Sequence, residues 1–259
     1  MFDRLKSRHA DYFGISCDIS CLVCGLPVAD LSASHHSNEM SPKTAQATHD
    51  HVLCTIFAAM DISKLDQLTN LSAGFKAYLY DCDGTLADNM GAHKDTYIKV
   101  AASKGHVIEG DIIDELAGWP VIKVIEEINK KYQTSFDPQE FKDLKYKLFL
   151  EEYIEHTLPV AHVVNHLKAH AGQIKIGVVS GSGRVAVEKT LRVLGIDHLV
   201  EVMVCAGETQ NGKPFPDPFL KAAELLNVDP ANCLVFEDGE AGTIAAEAAG
   251  MKWVRIDQL

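Results

Sequence analysis

From residue 76 onward the chain alternates short apolar runs with longer amphipathic stretches. Four runs read as buried strands: KAYLYD (76–81), IKIGVVS (174–180), EVMVCA (201–206) and CLVFED (233–238), each ending in a small or acidic residue. A last run, KWVRI (252–256), can form a fifth. Between them, GRVAVEKTLRVLG (183–195), PFLKAAELLNV (218–228) and EAGTIAAEAAG (240–250) carry helical patterns. Gly195 and Gly250 stand where a helix C-terminus favours glycine. Strand alternating with helix predicts an α/β fold, a parallel sheet with helices on both faces. Ligands of such sheets bind at the carboxyl ends of the strands.

One section breaks the alternation. Residues 89 to about 170 are helical in pattern almost throughout, as in VIKVIEEINKKY (121–132) and PQEFKDLKYKLFLEEYIEHT (138–157). That is too long for a crossover connection and predicts an inserted helical domain over the strand tips. The expected division is a core of 76–88 plus 160–259 and a helical cap of 89–159. The histidines of VAHVVNHLKAH, His162, His166 and His170, recur every fourth residue; with no accompanying carboxylate or cysteine they read as a solvated helix face rather than a metal site.

Residues 1 to about 70 differ. LPVADLSASHHSNEMSPKTAQATHDH is rich in Ser, Ala, Thr and His and holds no period, so this stretch is expected to be disordered or loosely attached. Met60 opens a sequence that resembles a protein start, which makes residues 1–59 an expected upstream extension. Cys21 and Cys24 have the spacing of half a zinc knuckle, but His49, His51 and Cys54 complete no recognisable module.

Composition narrows the function. A net charge of −12 disfavours nucleic acid and anionic membrane surfaces as partners. No apolar run reaches membrane-spanning length, and the N-terminus is too charged for a secretory signal. The seven cysteines, an odd number, fit reduced thiols in a cytoplasmic protein. A monomer is expected, and an enzyme this acidic, if it acts on phosphates, must gather positive charge locally.

The strand tips offer the means. The first ends in DCDGTLADN, with Asp81 and Asp83 two positions apart. Like charges so close repel, so either a cation sits between them or one acid does chemistry that the other assists. The second tip offers Ser180, Gly181 and Ser182 leading into a helix N-terminus, which suits an anion. Lys213 lies in NGKPFPDP, and Glu237 and Asp238 close the fourth strand. Two acids from each of two strands can hold a hard cation such as Mg²⁺, with Ser180 and Lys213 on the phosphate oxygens.

These four motifs, in this order over residues 76 to 257, resemble the haloacid dehalogenase-like (HAD) superfamily, and its phosphatase branch in particular: DCDGTLADN including Thr85, VVSGS with Ser180 and Gly181, KPFPDP with Lys213, and EDGEAG with Glu237 and Asp238. The resemblance implies a Rossmann-like core with a C1-type cap. It implies Asp81 as nucleophile, Asp83 as acid and base, and Mg²⁺ held by Asp81, the Asp83 carbonyl and Asp238 with Glu237 in support. DNMGAHKDTY, with Asp88 and His93, resembles the β-phosphoglucomutase-like subgroup, and LAGWP (116–120) its substrate-specificity loop, which places His93 and Trp119 near the substrate. Mutases of that subgroup carry an Arg shortly after the loop glycine. Here Gly118 is followed by WPVIKVIEE, with only Lys123 nearby. The sequence looks most like bacterial fructose-1-phosphate phosphatases, apart from Gly239, where Ser is usual. Hydrolysis of a small sugar phosphate is therefore the expected activity. A mutase, a phosphatase of phosphoglycolate or a nucleotide, and a non-catalytic binding protein are the alternatives.

Overall fold

The computed structural model describes residues 60–259 except Ala117. The Cys21–Cys24 reading lies outside the described residues. Five parallel strands form the sheet: β1 (Ala77–Tyr80), β4 (Lys175–Val179), β5 (Val202–Val204), β6 (Cys233–Glu237) and β7 (Lys252–Arg255), in the order β5-β4-β1-β6-β7. A separate antiparallel pair, β2 (Ala87–Asp88) and β3 (Leu158–Pro159), ties the two chain crossings between core and cap. β1 is central. Its Tyr80 lies opposite Val178 on one side and Phe236 on the other, so Asp81 leaves the sheet between the tips of β4 and β6. The chain runs from β1 out to one edge, then returns on the other side, which opens a crevice at that tip.

Period-two side chains of β1 divide the core. Tyr78 and Tyr80 point to one face, with Val163, Val164 and Leu167 of α6 (Ala161–His170) and Val187 and Leu191 of α7 (Arg184–Val193). Ala77 and Leu79 point to the other, against α8 (Asp217–Leu226) and α9 (Glu240–Ala248). The cap has its own core, built by α2 (Met90–Ser103), α3 (Asp111–Glu115), α4 (Val121–Tyr132) and α5 (Pro138–Leu148) around Ile125, Ile128 and Phe141. Asp137 starts α5 by accepting from the Glu140 N–H (2.7 Å), with Pro138 at the first helical position. The helix expected to run to residue 157 is interrupted: residues 149–153 form a wide π turn. That turn carries Phe149 under His93, where the rings stack at 4.2 Å.

Two expectations are corrected. Residues 60–70, expected to belong to the loosely attached stretch, instead lie in a helix, α1 (60–71), and Leu68 is fully buried in the core. The histidine face of α6 is not solvated. His162 is buried beside Asp61 of α1 (3.5 Å), and His166 is fully buried. Val163, Val164 and Leu167 flank these histidines and turn them inward. The Tyr80 hydroxyl bonds His166 Nδ1 (2.8 Å), and His166 Nε2 bonds the Ser72 hydroxyl (2.9 Å), which in turn donates to the Thr69 carbonyl. That chain of donors assigns the imidazole proton to Nε2.

Burial, aided by the neighbouring His170, pushes His166 down to about 3. The folded protein thus holds His166 neutral while the unfolded chain protonates it near pH 6.5. Stability is lost as pH falls below that value, by about 2 kcal/mol between pH 6.5 and pH 5. His166→Gln keeps a donor and an acceptor but cannot titrate. Its unfolding free energy should fall less than the parent's over that interval, by urea melts at the two pH values; equal slopes would refute the assignment.

Candidate active site

Asp81 continues β1, with its N–H bonded to the Phe236 carbonyl (2.9 Å). Its Oδ1 accepts from Lys213 Nζ at 2.7 Å, and the same ammonium donates to the Val179 carbonyl (2.8 Å) and to Glu237. Asn211, which precedes Lys213 in the loop, is pinned by the Asp217 carboxylate at the start of α8 (3.0 Å). Burial opposes the Lys213 charge, but Asp81 and Glu237 hold its pKa well above the usual lysine range. Glu237 uses Oε1 on Lys213 and Oε2 on the Gly239 N–H (3.2 Å). A Cβ at Gly242 would sit 1.9 Å from Glu237 Oε1, so α9 can pass only as glycine there.

Burial pushes Asp81 up to about 8, with the Glu237 and Asp83 charges adding to it against the pull of Lys213, and burial with the Asp81 charge pushes Asp238 up to about 7. Asp81, Glu237 and Asp238 each offer an oxygen within 4.8 Å of the others. Crowded, buried, all-oxygen donors are chemistry a hard divalent cation satisfies, so the residues fit Mg²⁺. With Glu237 engaged by Lys213 and Gly239, Asp81 and Asp238 are the carboxylates best placed to face such an ion. The Thr85 hydroxyl orients Asp238 Oδ1 (2.8 Å). Gly84 has φ +91°, and a Cβ there would lie 2.1 Å from Asp238 Oδ2, so both backbone and space require glycine.

Asp83 is held by three side chains. Ser182 Oγ donates to Oδ2 (2.5 Å), Asn89 Nδ2 donates to Oδ1 (2.6 Å), and His93 Nε2 lies 3.2 Å from Oδ1. Burial works against its charge, yet the facing His93 and these donors hold Asp83 well below the carboxylate range. Behind His93, Lys145 Nζ lies 2.6 Å from Nδ1. Burial and the Lys145 charge push His93 down, and burial pushes Lys145 down to about 8. Lys145 thus links the cap helix α5 to the core carboxylate Asp83 through His93.

The structure brings most of the expected residues to one pocket. Asp81, Asp83, Ser180, Gly181, Glu237, Asp238, His93 and Trp119 line it, while Lys213 and Thr85 stand behind the carboxylates they bond. Ser180 Oγ is fixed by the Ser182 N–H (3.0 Å). Asp88 lies exposed in the hinge strand β2, and Lys123 pairs with Glu126 on the surface (2.7 Å), away from the lining. Lys145 and Asn89 were missed as site residues. Lys145 had a readable signal: it shares one helix stripe with Phe141 and Phe149, four residues either way, and all three are buried. A lysine in an apolar stripe asks for a buried partner. Asn89 carried no comparable signal.

A carboxylate cluster and a buried lysine at the tip of a central parallel strand, covered by a helical cap, define an α/β enzyme built to hold a compact anion against a cation. Residues 75–250 match the family of haloacid dehalogenase-like hydrolases, and the chain belongs to that family. It is 29% identical over 182 residues to the fructose-1-phosphate phosphatase YqaB of Escherichia coli, a span of 70% of this chain and 96% of that protein. It is 32% identical to the β-phosphoglucomutase of Bacillus subtilis, over 71% of this chain and 84% of that one. The crystal structure of β-phosphoglucomutase from Clostridium difficile superposes with a TM-score of 0.59 at 28% identity, covering 69% of this chain and 83% of that one. The chain is accordingly an enzyme of this hydrolase family.

Proposed function

We propose that the protein hydrolyses the monoester of a small sugar phosphate, of the fructose 1-phosphate kind, through an aspartyl phosphate on Asp81. The observation that carries this is the Asp81–Lys213 contact of 2.7 Å at the floor of the capped pocket, a carboxylate kept beside a fixed cation. The similarity to YqaB supports the substrate class.

In this reading Asp81 attacks phosphorus and the bond to the leaving alcohol breaks. Asp83 gives that alcohol its proton, then takes one from the water that attacks the phosphoenzyme, releasing phosphate and regenerating Asp81. Ser182, Asn89 and His93 keep Asp83 ionised before substrate arrives, as the water step needs. An adjacent phosphate dianion raises it toward the protonated form for the first step. Ser180, the N–H groups around Gly181 and Lys213 receive phosphoryl oxygens. Asp81, Asp238 and the Asp83 carbonyl would hold Mg²⁺, which when bound would supply further positive charge against those oxygens. Cys82, Cys205 and Cys233 are buried and free, which fits a reducing compartment. Among the described residues no helix is long and apolar enough to cross a membrane.

The second reading, a mutase, is favoured by the likeness to β-phosphoglucomutases. It needs a cationic grip on a second phosphate, which a guanidinium serves best. Trp119, Pro120 and Val121 occupy that stretch of the cap, and Lys123 faces away from the pocket. Sugar 1- and 6-phosphates should therefore release inorganic phosphate with Mg²⁺ present and not after chelation. With β-glucose 1-phosphate and a bisphosphate primer in one tube, free phosphate should form faster than glucose 6-phosphate. The reverse order would establish the mutase.

A further inference from the structure

The half of the pocket that faces the phosphate end is mostly apolar. Leu116, Trp119, Val121 and Val124 line it, and Met90 and Ile113 continue it. Val124 and Ile113 are buried, and Trp119 stands at the rim, 40% exposed. The polar side chains lining the cap half are His93, Lys145 and Tyr97. Two of these are already engaged, since Lys145 is bonded to His93 and His93 faces Asp83. The remaining Lys145 protons and the Tyr97 hydroxyl can meet few of the oxygens on a leaving alcohol.

A hydroxyl pressed against valine, leucine or the indole face loses its water and gains no partner. Removing that hydroxyl leaves a C–H surface, which such a wall and the Trp119 ring accept well. Resting on the phosphatase reading above and narrowing its sugar class, we propose that this cap wall makes the site favour, among small sugar phosphates, deoxy sugars over their fully hydroxylated counterparts. An apolar pocket rejects an added hydroxyl by up to about 10²-fold, so discrimination of roughly tenfold is expected for one misplaced group.

The test uses the full chain with Mg²⁺ and two matched pairs: 2-deoxyribose 5-phosphate against ribose 5-phosphate, and 2-deoxyglucose 6-phosphate against glucose 6-phosphate. kcat/KM should favour the deoxy compound by more than about threefold in at least one pair; about threefold or less in both overturns the proposal. Val121→Thr and Val124→Thr each add a hydroxyl at nearly constant volume, and at least one of them should narrow the ratio. A ratio unchanged in both variants also overturns it, because the selectivity then lies outside this wall. p-Nitrophenyl phosphate separates the two levels of the argument. Its hydrolysis without discrimination within the pairs sinks the wall alone. No phosphate from it or from any of the four sugars sinks the phosphatase reading as well.

Discussion

Asp81→Asn lowers phosphate release by about 10³-fold or more and leaves the protein at least as stable as the parent. The loss follows from the proposed nucleophile becoming a neutral amide that cannot carry the phosphoryl group. The retained stability follows from the electrostatics of the site. Burial pushes Asp81 up to about 8 even with Lys213 beside it, so its charge is unfavourable at neutral pH in the absence of a metal ion. Asparagine has nearly the same shape, removes one of three crowded carboxylates, and leaves Lys213 bonded to Glu237 and the Val179 carbonyl. Phosphate release and thermal melts at pH 7.5 in chelator read the two arms. A variant that keeps more than a few per cent of the rate would remove Asp81 from its role, and a lowered Tm would contradict the electrostatic account.

Lys213→Met behaves in the opposite way, losing both activity and fold stability. The lysine side chain is 2% exposed and lies between two buried carboxylates. Removing one partner of a buried ionic group strands the others, at a cost of roughly 3–5 kcal/mol. For a domain of this size that lowers Tm by roughly 6–20 °C. Asp81→Asn in the same chain withdraws one stranded charge, so the double variant should melt higher than Lys213→Met alone. A change in Tm from Asp81→Asn that is the same in the parent and in Lys213→Met would show that the three side chains do not act as one group.

Much of the fold was legible because its signals are local. Each strand run and each core helix lies within a few residues of its expected position, since apolar periodicity and terminal glycines act over one or two turns. The acid pair at 81 and 83, Lys213, and the 237–238 pair were legible as short motifs at strand ends. The break after Leu148 was not: EEYIEHT continues a helical pattern, and the wider turn accompanies a packing of Phe149 on His93, 56 residues away, that no local pattern contains. The histidines of α6 illustrate the same limit. Their spacing places them on one face, but nothing in that spacing says whether α1 or water meets it.

The sequence by itself determined the α/β class, the inserted cap, and the set of acids and lysine from which the site is made. Only the tertiary structure decided how those groups are held. Ser182 reaches Asp83 from 99 residues away, Lys145 reaches His93 from 52, and Lys213 reaches Asp81 from 132. Such contacts depend on which faces of distant elements come together, and that is fixed by the burial of the sheet's two surfaces and the cap's own core. A short run of residues specifies its own backbone preferences, but a buried ammonium finds its carboxylate only when the whole chain has closed around both.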